Sequence, residues 1–350
     1  MTGLRCVSTF AGIGGFDVGF ERAGMTVTTQ VEIDKHARTV LHNHYPTVPL
    51  LGDISDVHGT DLGALDVLVG GFPCQDVSKG NTVRKGLDGA RSGLFFQFAR
   101  LVEEYARLVD ETNPRWVVLE NVPGLLSSGR KPRPGVVDPD VNDKSHWIPD
   151  GGADFQAVIG TLADLGYVGA WRVVNTRLVR GAGGTIGLPQ ERRRVIVVGH
   201  RGEHPGARAV LADFAAGTED ARLDHSGQGG NQGRSPAGPR TDGDRVGLIF
   251  RKSKRAQSTA DYSTWVEDRY GNTLTGFDSG MARATTIVTD GDRARILTPV
   301  EWERMQGFPD NWTEGVPITA RWHLLGNAIS TNVSEWLGHR IASVPLLAAA

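Results

Sequence analysis

Cysteine is scarce in this 350-residue chain, which has only Cys6 and Cys74. So few cysteines exclude a disulfide scaffold and a zinc site built on thiolates. Long apolar runs are also missing, since no stretch approaches the about 18 residues that a membrane span needs. Residues 1–20 lack the basic start and the cleavage site of a signal peptide. We therefore expect a cytoplasmic globular protein.

Charge of one sign is not in excess either, because the formal net charge is −2. Arginine greatly outnumbers lysine. Arginine suits bidentate contacts with phosphates and bases, but a codon bias explains its excess equally well. The near-neutral total does not exclude a nucleic-acid partner, because a local patch binds phosphates. The 46 glycines and 17 prolines make the chain too rich in loops for a helical bundle.

Short apolar runs alternate with helix-like stretches through about the first 200 residues. The apolar runs are predicted as strands at residues 4–10, 26–32, 65–70, 116–120 and 194–199. This alternation is typical of an α/β fold with a doubly wound, mostly parallel sheet. Chemically capable residues follow successive strands: Gly12, Glu32, Asp53, Cys74 and Glu120. We expect them to meet at the carboxyl edge of the sheet, where open α/β sheets bind ligands.

The pattern changes after Gly199. Residues 225–244 are almost all glycine, serine, proline and polar side chains, and residues 222–255 carry an excess of basic side chains. A loop of this length is either functional or disordered. We expect a smaller, irregular second domain at residues 200–312, beside a first domain of residues 1–199 that residues 313–350 complete.

The loop from Phe10 to Gly15 follows a predicted strand and opens a helix, so its glycines let a ligand approach the backbone. A dinucleotide site would have a further glycine where Asp17 stands. An adenosyl ligand such as S-adenosylmethionine fits better. Glu32 is then a candidate acceptor for the ribose hydroxyls, and Asp53 for the adenine amino group.

Cys74 lies between a proline and a glutamine where the strand at residues 65–70 ends. A nucleophilic thiol needs a partly exposed, electropositive setting, and the polar, basic stretch after Cys74 offers one. Cys6, inside an apolar strand, is interpreted as a small core residue. Cys74 is therefore the candidate nucleophile.

These segments together resemble the DNA (cytosine-5) methyltransferases over nearly the whole chain. The resemblance rests on motifs in the family's order: FAGIGG from Phe10, Glu32, Asp53, GGFPCQDVS around Cys74, ENV from Glu120, QERRR from Gln190, RILTP from Arg295 with QGFP from Gln306, and GNAI from Gly326. The nucleophile loop departs slightly in having Asp76 and Val77 before its serine. The resemblance implies a class I S-adenosylmethionine-dependent methyltransferase fold, without a metal, in which residues 200–312 form a target-recognition domain.

The resemblance also implies residue roles. The cofactor S-adenosylmethionine, which leaves as S-adenosylhomocysteine, would contact Phe10, Gly12, Ile13, Gly14, Gly15, Glu32, Ile33, Asp53, Ile54, Pro73, Leu94, Asn327 and Ala328. The catalytic residues would be Cys74, Glu120, Arg192 and Arg194. Attack of the Cys74 thiolate on C6 of cytosine puts charge on N3, where the Glu120 carboxyl must hold or share a proton. The two arginines, alternating on a strand, would face O2 of the base and the acid–thiol pair.

Duplex DNA is the expected partner, with the target cytosine flipped out of the stack. The expected DNA contacts are Gln75, Ser78, Lys79, Arg84, Lys85, Arg91, Arg251, Lys252, Lys254, Arg255, Thr273 and Leu274. The resemblance also allows a separate restriction endonuclease as a companion, and one cleft per chain suggests a monomer. Three alternatives stay open: a tRNA cytosine-5 methyltransferase of the same family, a nicotinamide dehydrogenase, and a non-catalytic DNA-binding relative.

Overall fold

The structure is a computed structural model that describes residues 3–72, 93–128, 130–132, 147–149, 151–179, 187–202, 206–212, 248–254, 263–275, 284–290 and 293–344. Its strands in chain order are β1 (Arg5–Thr9), β2 (Thr26–Val31), β3 (Leu50–Leu51), β4 (Val67–Gly70), β5 (Trp116–Asn121), β6 (Arg130–Pro132), β7 (Trp147–Pro149), β8 (Tyr167–Asn175), β9 (Arg193–Arg201), β10 (Ile249–Lys254), β11 (Thr264–Asp268), β12 (Thr286–Asp290) and β13 (Arg293–Ile296). Its helices are α1 (Gly15–Arg22), α2 (Lys35–His44), α3 (Leu94–Leu108), α4 (Ala153–Asp164), α5 (Gly206–Ala212), α6 (Pro299–Gln306), α7 (Ile318–Asn327) and α8 (Thr331–Ser343).

The main sheet has seven strands in the order β3-β2-β1-β4-β5-β9-β8. The strands from β3 to β5 pair in parallel, whereas β9 runs antiparallel to both of its neighbours. The central strands are rich in valine and buried on both faces, as parallel strands covered by helices must be. The prediction of a doubly wound, mostly parallel sheet is confirmed.

Helices cover both faces of this sheet. Apolar side chains of α3 and α4 pack on one face, around Phe98 and Leu162. Those of α1, α5 and α8 pack on the other, around Phe20, Val210 and Leu337. With five parallel strands sandwiched in this way, the residues that follow β1 to β5 emerge at one edge.

A second sheet, of order β11-β10-β12-β13, is antiparallel throughout. The abundance of glycine and polar residues in the surrounding stretch predicts an irregular region here. Its described part instead forms short paired strands. A two-stranded antiparallel ribbon of β6 and β7 lies between β5 and α4 in the chain.

A third apolar cluster connects the second sheet to the glycine-rich loop and α2. It includes Ile249 and Val288 from the second sheet, Trp302 from α6, and Ile13 and Leu41. Trp312, after α6, donates from Nε1 to the carbonyl of Ile13 at 2.7 Å. Residues 299–312 therefore pack against the part of the chain that carries the first glycine-rich motif. No described helix is long and apolar enough to cross a membrane.

Candidate active site

The first glycine-rich loop turns the chain from β1 into α1. Phe10, Gly12 and Gly14 adopt positive φ angles of 51°, 57° and 83°. Glycine adopts this left-handed region without a steric penalty. A Cβ added to Gly12 would meet no heavy atom within 4 Å. The backbone at Gly12 therefore borders open space in which a ligand can approach closely.

The closing segment of the chain packs directly behind this loop. A Cβ on Gly15 would lie 2.6 Å from the carbonyl oxygen of Ile329, so only glycine permits the contact. Ser334 of α8 donates from Oγ to the carbonyl of Gly15 at 2.6 Å. Ala328 is buried here, while Asn327 is exposed and its Nδ2 lies 3.2 Å from Nε2 of His323. The GNAI segment thus supports the first motif from behind.

Glu32 sits at the carboxyl end of β2 and faces the glycine-rich loop. Its Oε2 accepts from the amide of Gly12, and its Oε1 accepts from the amide of Asp34, both at 2.7 Å. Each carboxylate oxygen keeps a further lone pair for a hydroxyl donor. The next side chain, Ile33, is 68% exposed, an unusual state for a large aliphatic group. A polar acceptor beside an exposed aliphatic surface suits a ribose and a purine ring.

Asp53 follows β3 and caps a short 3-10 turn, Ile54–Asp56, by accepting from the amide of Ser55 at 2.9 Å. Ile54 is buried, and Leu94 is half-buried at the start of α3. Gly12, Glu32 and Asp53 therefore follow three adjacent strands, β1, β2 and β3, at one edge. This edge has the donor and acceptor groups that an adenosyl cofactor needs.

The candidate acid Glu120 lies near the end of β5 and is only 8% exposed. Arg194 of β9 places Nε 2.7 Å from Oε1 of Glu120, and both side chains are nearly buried. A Cβ on Gly71 would lie 3.1 Å from Oε2 of Glu120. The carboxyl therefore borders both a guanidinium and the chain that leads into the Cys74 loop.

Asn121 belongs to the ENV motif, whose sequence alone predicts no separate role for this side chain. Its Nδ2 donates to the carbonyl of Phe72 at 2.7 Å in a buried contact. This bond fixes the last described residue before Pro73 and Cys74. The signal in the sequence was the ENV tripeptide itself, which could have been assigned an anchoring role.

Arg192 differs from Arg194, although the sequence grouped them on one strand face. Arg192 is fully buried and precedes β9. Its Nη1 donates to the carbonyl of Leu274, and its Nη2 donates to those of Gly326 and Ala328. Burial, followed by the charge of Arg194, lowers the pKa of Arg192 well below its usual value. Its donors connect three segments and none of them hydrogen-bonds Glu120, so the role of Arg192 beside the base stays a prediction.

Several residues expected to contact DNA are engaged within the protein. Arg251 donates from Nε to Asp268 at 2.6 Å, and the ammonium of Lys252 lies 4.9 Å from the ring centre of Trp265. Thr273 donates to the carbonyl of Glu191 at 2.5 Å. Leu274 is only 1% exposed and packs in the apolar core, so its contact with DNA stays a prediction that this burial does not support. Lys254 ends β10.

The other expected DNA contacts and the nucleophile loop lie outside the described residues: Pro73, Cys74, Gln75, Ser78, Lys79, Arg84, Lys85, Arg91 and Arg255. Within the described ranges, no group of three or more His, Cys, Asp or Glu side chains could hold a metal ion.

The seven-stranded sheet with its antiparallel β9, together with the glycine-rich loop and the strand-end acids, defines a class I S-adenosylmethionine-dependent methyltransferase. A family model described as C-5 cytosine-specific DNA methylase matches residues 4–343. The chain belongs to this family, and it is a DNA cytosine-5 methyltransferase.

Curated relatives match nearly the whole chain. It is 29% identical to the type II methyltransferase M2.BsuMI of Bacillus subtilis, over 97% of this chain and 75% of the relative. It is 27% identical to M.HhaI of Haemophilus parahaemolyticus, over 98% and 95%. Among solved structures, a mutant of Spodoptera frugiperda DNMT2 aligns with a TM-score of 0.61 at 16% identity, over 97% of this chain and all of the other. That likeness shows the fold alone.

Proposed function

We propose that this enzyme methylates C5 of a flipped-out cytosine within a short sequence of duplex DNA, through a covalent bond between Cys74 and C6. The observation that carries the proposal is the pairing of Glu120 with Arg194 beside the chain that enters the Cys74 loop. Cytosine chemistry requires at N3 a carboxyl group that can share a proton with the base, and Glu120 is a nearly buried carboxyl oriented by a guanidinium.

The chemistry explains the set of side chains. The Cys74 thiolate adds to C6, and the electron pair of the C5–C6 double bond makes C5 nucleophilic. Glu120 holds the proton at N3 that offsets the developing charge. When bound, S-adenosylmethionine supplies the methyl group that C5 accepts. Loss of the C5 proton to a base then restores the double bond and expels the Cys74 thiolate.

The two arginines take different roles in this proposal. Arg194 orients Glu120 and offers its remaining donors to O2 of the base. Arg192 acts as a positioning residue, because its guanidinium donates to the carbonyls of Leu274, Gly326 and Ala328. Burying a guanidinium is costly unless it is hydrogen-bonded, so the three bonds from Nη1 and Nη2 suit Arg192 to joining segments.

The cofactor would be held at the edge formed by Gly12, Glu32, Ile33 and Asp53. The open space at Gly12 and the exposed Ile33 support this assignment. Ile13, Gly14 and Ile54 would act through the backbone and packing behind it, since they are buried. The remaining members of the proposed set are Phe10, Gly15, Pro73, Leu94, Asn327 and Ala328.

The second sheet, within residues 200–312, is proposed as part of the target-recognition domain. Residues 299–312 pack against the glycine-rich loop. Through this contact they would couple the position of the second sheet to the catalytic domain. The names of the type II relatives support a role in restriction and modification beside a separate endonuclease. We propose that the enzyme acts as a monomer on cytoplasmic, nucleoid-associated DNA.

Trapping the covalent intermediate tests the proposal. Bisulfite sequencing of DNA from a host that expresses the enzyme first identifies the target. A duplex with 5-fluorocytosine at that target should then give a covalent adduct stable in detergent, because fluorine cannot leave as a cation. Cys74→Ser should bind S-adenosylhomocysteine normally and form no adduct. Adduct formation by the serine variant, or methylation of tRNA in place of DNA, contradicts the proposal.

A further inference from the structure

Asp53 follows a weakly paired part of the main sheet. Strand β3 has two residues and pairs with β2 only through Gln30 with Leu50 and Val31 with Leu51. It is also the edge strand of the sheet. So short an edge strand provides few backbone hydrogen bonds with which to hold the residue that follows it. Other groups must therefore fix the backbone on both sides of Asp53.

Arg38 of α2 holds the chain before Asp53. Its Nη1 donates to the carbonyl of Glu32 at 2.8 Å and to that of Leu51 at 2.5 Å. Its Nη2 donates to the carbonyl of Leu50 at 3.3 Å. One guanidinium therefore spans the carboxyl ends of β2 and β3. The planar fork of arginine bridges several carbonyls in this way, which an ammonium does less well.

Arg100 of α3 holds the chain after Asp53. Its Nη2 donates to the carbonyls of Ile54 and Val57 at 2.9 and 2.8 Å. Its Nε and Nη1 donate to Gln97 and Glu104, each at 2.8 Å, and its side chain is only 16% exposed. The guanidinium is thus fixed by its own helix while it binds the 3-10 turn that Asp53 caps.

We propose that Arg38 and Arg100 are positioning residues that set Asp53, and with it the recognition of the adenine amino group. The inference rests on the proposed function, in which Asp53 accepts from that group. The two arginines flank Asp53 from different helices and donate five hydrogen bonds to carbonyls around it. Arg38 also fixes the backbone of Glu32, so its effect extends to the ribose, whereas Arg100 acts on the adenine side alone.

Binding measurements with two matched ligands test this inference. S-adenosylhomocysteine carries the adenine amino group, and S-inosylhomocysteine carries a carbonyl in its place. Calorimetry on the full chain should show the wild type preferring the adenosyl ligand. Arg100→Met should weaken adenosyl binding about tenfold, a loss of about 1.4 kcal/mol, and leave inosyl binding within about twofold. Arg38→Met should weaken both ligands, and the adenosyl ligand more.

Three further variants complete the experiment. Arg5→Met is the matched control, since Arg5 pairs with Asp66 at the start of β1, at the opposite edge, and it should leave the ratio of the two affinities unchanged. Arg100→Lys should restore part of that ratio.

If Asp53→Ala abolishes the preference for the adenosyl ligand while Arg38→Met and Arg100→Met retain it, the inference fails and the proposed function stands. If Asp53→Ala retains the preference, the assigned role of Asp53 fails, and the inference fails with it. Equal weakening of both ligands by Arg100→Met overturns the inference by showing a general structural effect.

Discussion

The carboxyl edge of the main sheet and the second sheet differ in how their charged groups are arranged. At the main edge, Glu32 accepts two backbone amides and Glu120 lies against Arg194, so each acid is oriented by the fold. In the second sheet, Arg251 is paired with Asp268 at a half-exposed position. Preorganised charge of the first kind suits chemistry, because the donors and acceptors are fixed before the reaction begins. A half-exposed ion pair such as Arg251–Asp268 suits the binding of a partner, because an anionic group of that partner can replace Asp268 beside the guanidinium.

The largest expected effect is at Glu120, where preorganised charge predicts a defect in the methyl-transfer step and none in cofactor binding. Glu120→Gln should slow methyl transfer by about 10²–10⁴-fold, the usual contribution of a positioned proton donor. Affinity for S-adenosylhomocysteine should stay unchanged, because Glu120 lies on β5 and the cofactor acids follow β2 and β3. Single-turnover kinetics and calorimetry measure the two quantities separately. Loss of cofactor binding in the amide variant would show that the two sites are not separable.

Next in size is the pH dependence of stability that Asp17 introduces behind the glycine-rich loop. Burial raises the pKa of Asp17 from 3.8 to about 6, against the opposing hydrogen bond from Gln30. The folded state therefore binds more protons than the unfolded state between these values, and the free energy of unfolding falls as pH rises through them. At pH values above the folded-state pKa, the ionisation of Asp17 lowers the free energy of unfolding by about 3 kcal/mol in total.

Asp17→Asn removes this dependence, because an amide does not ionise. The stability of the variant relative to wild type should rise as the pH increases from about 4 to 6 and then level off. Urea unfolding at a series of pH values measures it. Asp66→Asn is the control of opposite sign. Burial alone would raise the pKa of Asp66, but its hydrogen bonds with Arg5 lower the pKa overall. The Arg5–Asp66 pair therefore stabilises the fold at higher pH, and this stabilisation is lost on acidification. A pH-independent difference for Asp17→Asn contradicts the assignment.

Sequence patterns predicted that Gly12, Glu32, Asp53 and Glu120 lie at or near the carboxyl ends of main-sheet strands, because each belongs to a local motif at a strand end. The doubly wound, mostly parallel sheet and the family were confirmed. The partners of Arg192 could not be predicted in this way. Leu274, Gly326 and Ala328 lie 82, 134 and 136 positions further along the chain. The roles of Arg38 and Arg100 were missed for a related reason, since donation to backbone carbonyls leaves no pattern of side-chain types.

A smaller effect is expected from each of the two cofactor acids. Glu32→Ala and Asp53→Ala should each weaken cofactor binding by about 1–3 kcal/mol, the cost of leaving a buried polar partner unpaired. Glu32→Ala also removes the acceptor of the Gly12 amide, so it should be the more damaging of the two. Calorimetry with S-adenosylhomocysteine measures both. The rate of the chemical step at saturating cofactor should stay close to that of wild type, and a large fall in that rate would contradict the division of roles.

The smallest effects are expected in the second sheet, where they decide whether β10 faces DNA. Neutralising Arg251, Lys252, Lys254 and Arg255 together should weaken binding and flatten its salt dependence, by about 0.9 units of slope for each lost phosphate contact. Arg251→Gln alone should change the slope by less than one such step, because Asp268 already neutralises this guanidinium.

Asp268→Asn sharpens the same test in the opposite direction. With its acid partner removed, Arg251 should be available to a phosphate, and both DNA affinity and the salt slope should increase slightly. Filter binding or fluorescence anisotropy at several salt concentrations measures the slope, and cofactor affinity serves as the internal control. If the quadruple variant keeps the wild-type slope, β10 does not face DNA. The binding surface must then be sought at Arg222, Asn231, Arg234 and Arg240, which lie outside the described residues.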